Sequence, residues 1–128
     1  MLLVPVRIGR SEIHGQGVFA IEDIPEGTIV WRFTPGFDMD QDPLLLDKQP
    51  QHSRKVMLHY GYIDPIINRF ILCCDDCRFM NHSGRPNIRT DRNADRYGVD
   101  VAARDIKAGE ELTVNYESFE GPNSDILK

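Results

Sequence analysis

Apolar residues fall in short runs along this chain, and turn-forming residues break them at short intervals. Gly9, Gly15, Gly17, Pro25-Glu26-Gly27, Pro35-Gly36, Gly61, Gly84-Arg85-Pro86 and Gly109 separate stretches rich in Val, Ile and Phe. That is the pattern of many short strands. It predicts strands over residues 3–8, 18–20, 28–33, 69–72, 88–90, 97–103 and 112–114. The polar string Asp91-Arg92-Asn93-Ala94-Asp95 reads as a hairpin loop. One segment differs. Within residues 44–60, Val56, Met57 and Tyr60 follow a polar run at helical spacing, with Pro50 placed to open a helix and Gly61 to stop it. A short helical insert is expected there.

The chain also echoes itself. Ala20-x-x-Asp23-Ile24-x-x-Gly27 recurs as Ala102-x-x-Asp105-Ile106-x-x-Gly109, with strand-like residues on both sides of each copy. Each copy reads as a strand, a tight corner and a strand. The Asp is suited to bond backbone two residues on, and the Gly to take positive φ. Two copies are too few for a solenoid, so they predict two related corners of one compact β domain.

The length of 128 residues fits one domain that buries a core without staples. The net charge of −5 argues against a nucleic-acid backbone as main partner, because phosphates call for Lys and Arg. Cys73, Cys74 and Cys77 form one odd-numbered cluster, a poor disulfide framework. Cys74-Asp75-Asp76-Cys77 could be half a zinc site or a redox pair, but no second Cys pair exists. Cysteines packed as small apolar residues fit better, so no metal is expected. The N-terminal apolar stretch is too short for a signal peptide, and no run approaches the roughly 20 residues of a membrane span. A cytoplasmic location with reduced thiols is the expectation.

Three strings place polar side chains where burial is costly without a partner. Gly15-Gln16-Gly17 precedes a predicted strand, and its glycines allow close approach of backbone, to a ligand or within a tight turn. It lacks the third glycine and the helix of a dinucleotide fingerprint. Arg78-Phe79-Met80-Asn81-His82-Ser83, followed by Pro86-Asn87, sets three polar residues after an apolar pair. Gly109-Glu110-Glu111-Leu112-Thr113-Val114-Asn115-Tyr116 ends a strand on a phenol able to orient a substrate atom.

In this order and spacing the three strings resemble the SET-domain family of protein lysine methyltransferases, over roughly residues 5–119. The resemblance implies a mostly β fold of small curved sheets (a β-clip) covering 1–128 as one domain. It implies a variable insert, matched here by 44–60, and a knot-like threading that joins the Asn-His-Ser and Leu-Thr-Tyr segments. It further implies transfer of a methyl group from S-adenosylmethionine to a lysine of a protein substrate. Carried over, Gly15, Gln16 and Gly17 look like backbone contacts to the cofactor, with Asn81 and His82 holding its amino-acid and adenine portions. Tyr116 looks like the catalytic tyrosine beside the transferred methyl. Tyr60, Tyr62 and Phe119 are candidates for the aromatic walls of the lysine channel.

The chain departs from many members in having Gly84 where they carry Cys, and in a tail, residues 117–128, without the cysteines that bind zinc. Something else must then close the channel, or it stays open until a partner arrives. Short cores of this kind resemble viral or bacterial members, in some of which a second subunit completes the site, so a homodimer is conceivable; a viral origin would shift the location to host chromatin. No carboxylate near these strings stands out as a general base. Asp38, Asp40, Asp42 and Asp47 either attract a basic peptide or form a solvated loop. Two rival readings stay open: a SET-like module that binds peptide or cofactor without transfer, and a β-clip domain of unrelated function.

Overall fold

The computed structural model describes residues 1–117. Along the chain come β1 (Val6–Arg10), β2 (Gln16–Ala20), β3 (Ile29–Arg32), β4 (Met39–Gln41), α1 (Leu44–Asp47) and α2 (Gln51–Tyr60). They are followed by β5 (Gly61–Asp64), β6 (Arg69–Leu72), a 3₁₀ turn (Asp76–Phe79), β7 (Asn81–His82), β8 (Ile88–Asp91), β9 (Val99–Ala102) and β10 (Glu111–Val114). Three small sheets result, ordered β1-β2-β10-β7, β3-β9-β8 and β4-β6-β5. The mostly β architecture of small sheets is as expected. The hairpin loop between the paired strands β8 and β9 spans 92–98, so Asp91 belongs to β8 and Tyr97 to the loop.

The two echoed corners bind each other. Ile24 and Ile106 exchange both main-chain hydrogen bonds at 2.8 Å, and both side chains are buried. Gly27 N donates to Ala102 O, and Gly109 N donates to Ala20 O, each at 2.8 Å. Both glycines take positive φ, +84° and +90°, a region open to them at little cost. The aspartates differ from expectation. Asp23 accepts from Ala108 N at 2.9 Å and Asp105 from Glu26 N at 2.8 Å, so each reaches the opposite corner instead of its own backbone. The sequence repeat is thus a reciprocal clasp. It brings β2 against β10 and seats Val18, Ile24, Ile106 and Leu112 in one core.

The helical insert is two pieces. Pro50, at φ −56° and ψ 153°, breaks the chain between α1 and α2, and the N–H of Gly61 closes α2 on Met57 O. No residue of α2 is buried, which is why Val56 and Met57 gave only a weak stripe. Like the two-residue β7, strands β4 and β5 were absent from the sequence pattern. Met39-Asp40-Gln41 carries no apolar alternation, and Gly61 looked like a stop. β6 orders both by pairing with each.

β4 also corrects the acidic-loop reading. Asp38 is buried, pairs with the Met1 ammonium at 2.8 Å, and accepts from Thr34 N and Cys74 N. Asp40 takes the Arg69 guanidinium and the Tyr97 hydroxyl. Asp42 accepts from Leu44 N ahead of α1. Asp38 and Asp40 are thus tied into the fold, whereas Asp42 and Asp47 are exposed.

Candidate active site

The last strand of the core brings the distant strings together. β10 pairs in parallel with β7, Thr113 beside Asn81 and Val114 beside His82, and Ser83 N donates to Val114 O at 2.9 Å. The chain then passes along β10 again. The buried Asn87 receives Thr113 N on its Oδ1 and donates Nδ2 to Glu111 O, both at 2.8 Å. Its amide thus stands in for a strand backbone. That explains the Pro86-Asn87 pair, and it is the meeting of segments that a knot-like threading requires.

Asn81 reaches the glycine string. Its Nδ2 faces three acceptors, His14 O and Gln16 O at 3.0 Å and Glu111 Oε2 at 2.8 Å. Glu111 also accepts from Ser11 Oγ at 2.7 and 2.9 Å. A Cβ on Gly17 would meet Glu111 Oε2 at 2.5 Å, so the close approach that glycine permits is made by this carboxylate. Gly17 is buried, whereas Gly15 and Gln16 are exposed. Gly15 has φ +46° and open space where a side chain would stand. The glycine string, Asn81 and β10 are therefore one rigid unit. Its outer face is the backbone of Gly15–Gln16, and Asn81 acts from beneath.

His82 and Tyr116 are the next pair. His82 Nδ1 accepts from Tyr116 N at 3.1 Å, which leaves Nε2 to carry the proton of a neutral ring. Tyr116 Oη donates to Met80 O at 2.8 Å. The tyrosine is held at its main chain, by its hydroxyl, and by a tilted contact with the imidazole.

Tyr116 also lines a cavity of about 630 Å³ including its mouth. Its walls are the rings of Trp31, Tyr60, Tyr62, Tyr97 and Tyr116, with Met80 and Val114 at the buried end. His59, Tyr60 and Arg78 are exposed and form the mouth. Arg78 lies over the ring of Tyr60 at 5.1 Å, a cation–π contact. The expected wall residues Tyr60 and Tyr62 are thus found with Tyr116. Phe119 lies outside the described residues. Trp31 and Tyr97 were missed. Trp31 looked like core in a short apolar run, and Tyr97 like the start of a strand. Tyr97 turns its ring inward by stacking on Phe33 at 3.9 Å.

Burial pushes the Tyr62 phenol well above its ordinary pKa, aided by Cys73, Asp100 and Asp64. Cys77 is raised well above the usual thiol value by its hydrogen bond with Cys73, by burial and by nearby acids. Both stay neutral at ordinary pH. Among the described residues no group of three or more His, Cys, Asp and Glu is placed to hold a metal. Cys73 and Cys77 pack partly buried against the apolar clusters, as expected, whereas Cys74 is exposed.

One lining residue has different chemistry. Asp100, in the centre of β9, is the only carboxylate among the described residues of the wall. Trp31, Asp100 and Thr90 lie side by side across β3, β9 and β8 and so share a face. Thr90 Oγ1 donates to Asp100 at 2.9 Å. Burial raises the carboxyl to a pKa of about 6, against the Thr90 hydrogen bond and the Met1 ammonium, which pull the other way. The signal in the sequence was an acid between two valines, Val99-Asp100-Val101.

The chain belongs to the SET domain family, whose profile matches residues 15–117. It is 31% identical over 120 residues to a histone-lysine N-methyltransferase, H3 lysine-36 specific, of Mycosarcoma maydis. It is 30% identical over 118 residues to the histone-lysine N-methyltransferase trithorax of Drosophila virilis. Each match takes 88% of this chain but only 12% and 3% of the relative, so the chain spans a small part of those proteins. Among solved structures it is similar to a PRC2 assembly of Chaetomium thermophilum bound to S-adenosylmethionine (TM-score 0.65, 27% identity). That likeness covers 94% of this chain and 16% of the other. A Plasmodium falciparum histone methyltransferase candidate shares the fold at TM-score 0.62 and 22% identity, over 90% of this chain and 95% of its own. The two curated relatives are named for histone lysines, which lends no support to a cytoplasmic location. Among the described residues no helix is long and apolar enough to cross a membrane.

Proposed function

We propose that this domain transfers a methyl group from S-adenosylmethionine to the side-chain amine of a lysine in a protein substrate. The observation that carries the reading is the position of Tyr116. Its backbone is bonded to His82, its hydroxyl to Met80 O, and its ring walls the aromatic cavity. One residue thereby joins the Asn81–His82 strand to a cavity lined by aromatic side chains.

The fit for the cofactor rests on the rigid unit around Asn81. Gly15 and Gln16 are exposed, with open space beside Gly15, and His82 lies on β7 of the same sheet, across β10. In this reading Gly15, Gln16 and His82 contact the cofactor, while Asn81 and Gly17 fix the shelf they form. When bound, S-adenosylmethionine supplies an activated methyl group. The chain's own task is to present a neutral amine. A free lysine has a pKa near 10.4, so at pH 7 the neutral form is disfavoured by about 5 kcal/mol. A cavity walled by aromatic rings disfavours the ammonium by desolvation. Tyr116 then aligns the amine, and alignment supplies as much as about 7–11 kcal/mol in favourable cases.

The relatives' names suggest a basic, histone-like tail as substrate and chromatin as its setting. The test is to mix the protein with methyl-labelled S-adenosylmethionine and a set of basic proteins. Label on lysine supports the reading. Cofactor binding by calorimetry without label transfer would favour a binding module, and no binding at all would favour an unrelated β domain.

A further inference from the structure

We infer that Asp100 is a substrate-binding group of the cavity, which receives the ammonium of the incoming lysine and accepts its proton. This rests on the lysine reading above and adds a residue to it.

The argument is one of placement. A carboxylate in the middle strand of a sheet is costly unless it is paired, because burial removes its hydration. Asp64 shows how this chain treats a structural case. It is fully buried and held by a two-pronged ion pair with Arg92, at 2.9 and 3.0 Å, and by two backbone amides. Asp38 likewise has the Met1 ammonium and two amides. Among the described residues Asp100 has neither arrangement. Its partner there is the Thr90 hydroxyl, and it lines a cavity walled by aromatic side chains. A cation brought into that cavity by a long aliphatic stem would meet this carboxylate among rings that suit the stem.

The proton step balances within the pair. One N–H bond of the ammonium breaks and its electron pair stays on nitrogen. The proton forms an O–H bond on the Asp100 carboxylate and later passes to solvent. Burial assists, since it raises the acid and lowers the amine, and so narrows the gap between them. Other groups share this space. The phenols of Tyr62, Tyr97 and Tyr116 and the thiols of Cys73 and Cys77 line the walls. His59 and Arg78 stand at the mouth, and the Met1 ammonium acts on Asp100 from outside. Tyr62, Tyr97 and Cys77 are all raised from their ordinary values and give no acid limb near pH 6, and His59 is separated by mutation.

The test compares wild type with Asp100→Asn, which keeps the shape and the Thr90 contact. Calorimetry first measures binding of a lysine peptide and its norleucine counterpart. Wild type should prefer lysine by about 10-fold or more, and Asp100→Asn should lose that preference. The kcat/KM of wild type should then fall below about pH 6, and that limb should vanish in Asp100→Asn while persisting in His59→Gln. Thr90→Val should move the limb to higher pH, because that hydroxyl favours the charged carboxylate. An unchanged lysine preference and acid limb in Asp100→Asn would overturn the inference even if methyl transfer is intact. Absence of transfer by wild type would defeat the lysine reading, and the binding comparison would still judge Asp100 alone.

Discussion

The imidazole of His82 and the phenol of Tyr116 stand 5.3 Å apart, tilted by 49°, and the main chain of Tyr116 donates to His82 Nδ1. Thirty-four residues separate them in sequence. The parallel pairing of β7 with β10 is what closes that distance.

Tyr116→Phe keeps the ring and loses the hydroxyl bond to Met80 O. Stability should fall by about 1 kcal/mol. Turnover should fall about 100-fold or more, with cofactor affinity largely kept. Steady-state kinetics and calorimetry on the same preparation separate the two. Wild-type turnover would remove Tyr116 from its role.

Asn81→Ala strips the donor shared by His14 O, Gln16 O and Glu111. It should cost about 1–3 kcal/mol of stability and loosen the glycine string, so cofactor affinity falls before turnover at saturation. Denaturant melts and cofactor titration test this. An unchanged affinity would show that the shelf does not hold the cofactor.

Gly17→Ala should be destabilising by a different route. The new Cβ displaces the Glu111 carboxylate and breaks its bonds to Ser11 and Asn81. The double variant with Asn81→Ala should be clearly less destabilised than the sum of the singles, because both act through Glu111. Full additivity would contradict that coupling.

Much of this was legible in sequence, and the gaps have physical causes. The strands with apolar alternation, the corner repeat and the three polar strings were all visible. β4 was hidden because its polar residues, Asp40 above all, are satisfied by Arg69 and Tyr97 from other elements. Trp31, Tyr97 and Asp100 were read as strand residues because nothing local says which face of a strand lines a cavity. Glu111, the hub of the glycine string, sat unremarked inside a motif chosen for its tyrosine.

Arg92→Met leaves Asp64 charged and buried without its partner. Loss of about 3–5 kcal/mol is expected from chemical denaturation, although Arg92 lies in a polar hairpin loop. A change below 1 kcal/mol would mean that the ion pair does not hold the two hairpins together.

The Asp100 carboxyl is raised in the fold to about 6, from an ordinary 3.8. The folded protein therefore binds this proton more tightly than the unfolded chain. Its contribution to stability is complete below about pH 4 and is lost as pH rises through about 6, roughly 3 kcal/mol in all. Asp100→Asn should lack that slope and be more stable than wild type at pH 8, as thermal melts across pH would show. A parallel pH dependence in both proteins would contradict it.

The most direct measurement is the intact mass of a lysine-bearing histone-tail peptide after incubation with the protein and S-adenosylmethionine. The account predicts added methyl groups on lysine, none when that lysine is replaced by norleucine, and almost none with Tyr116→Phe. A peptide mass unchanged by wild-type protein that demonstrably binds the cofactor, across peptides covering several histone lysines, would contradict it.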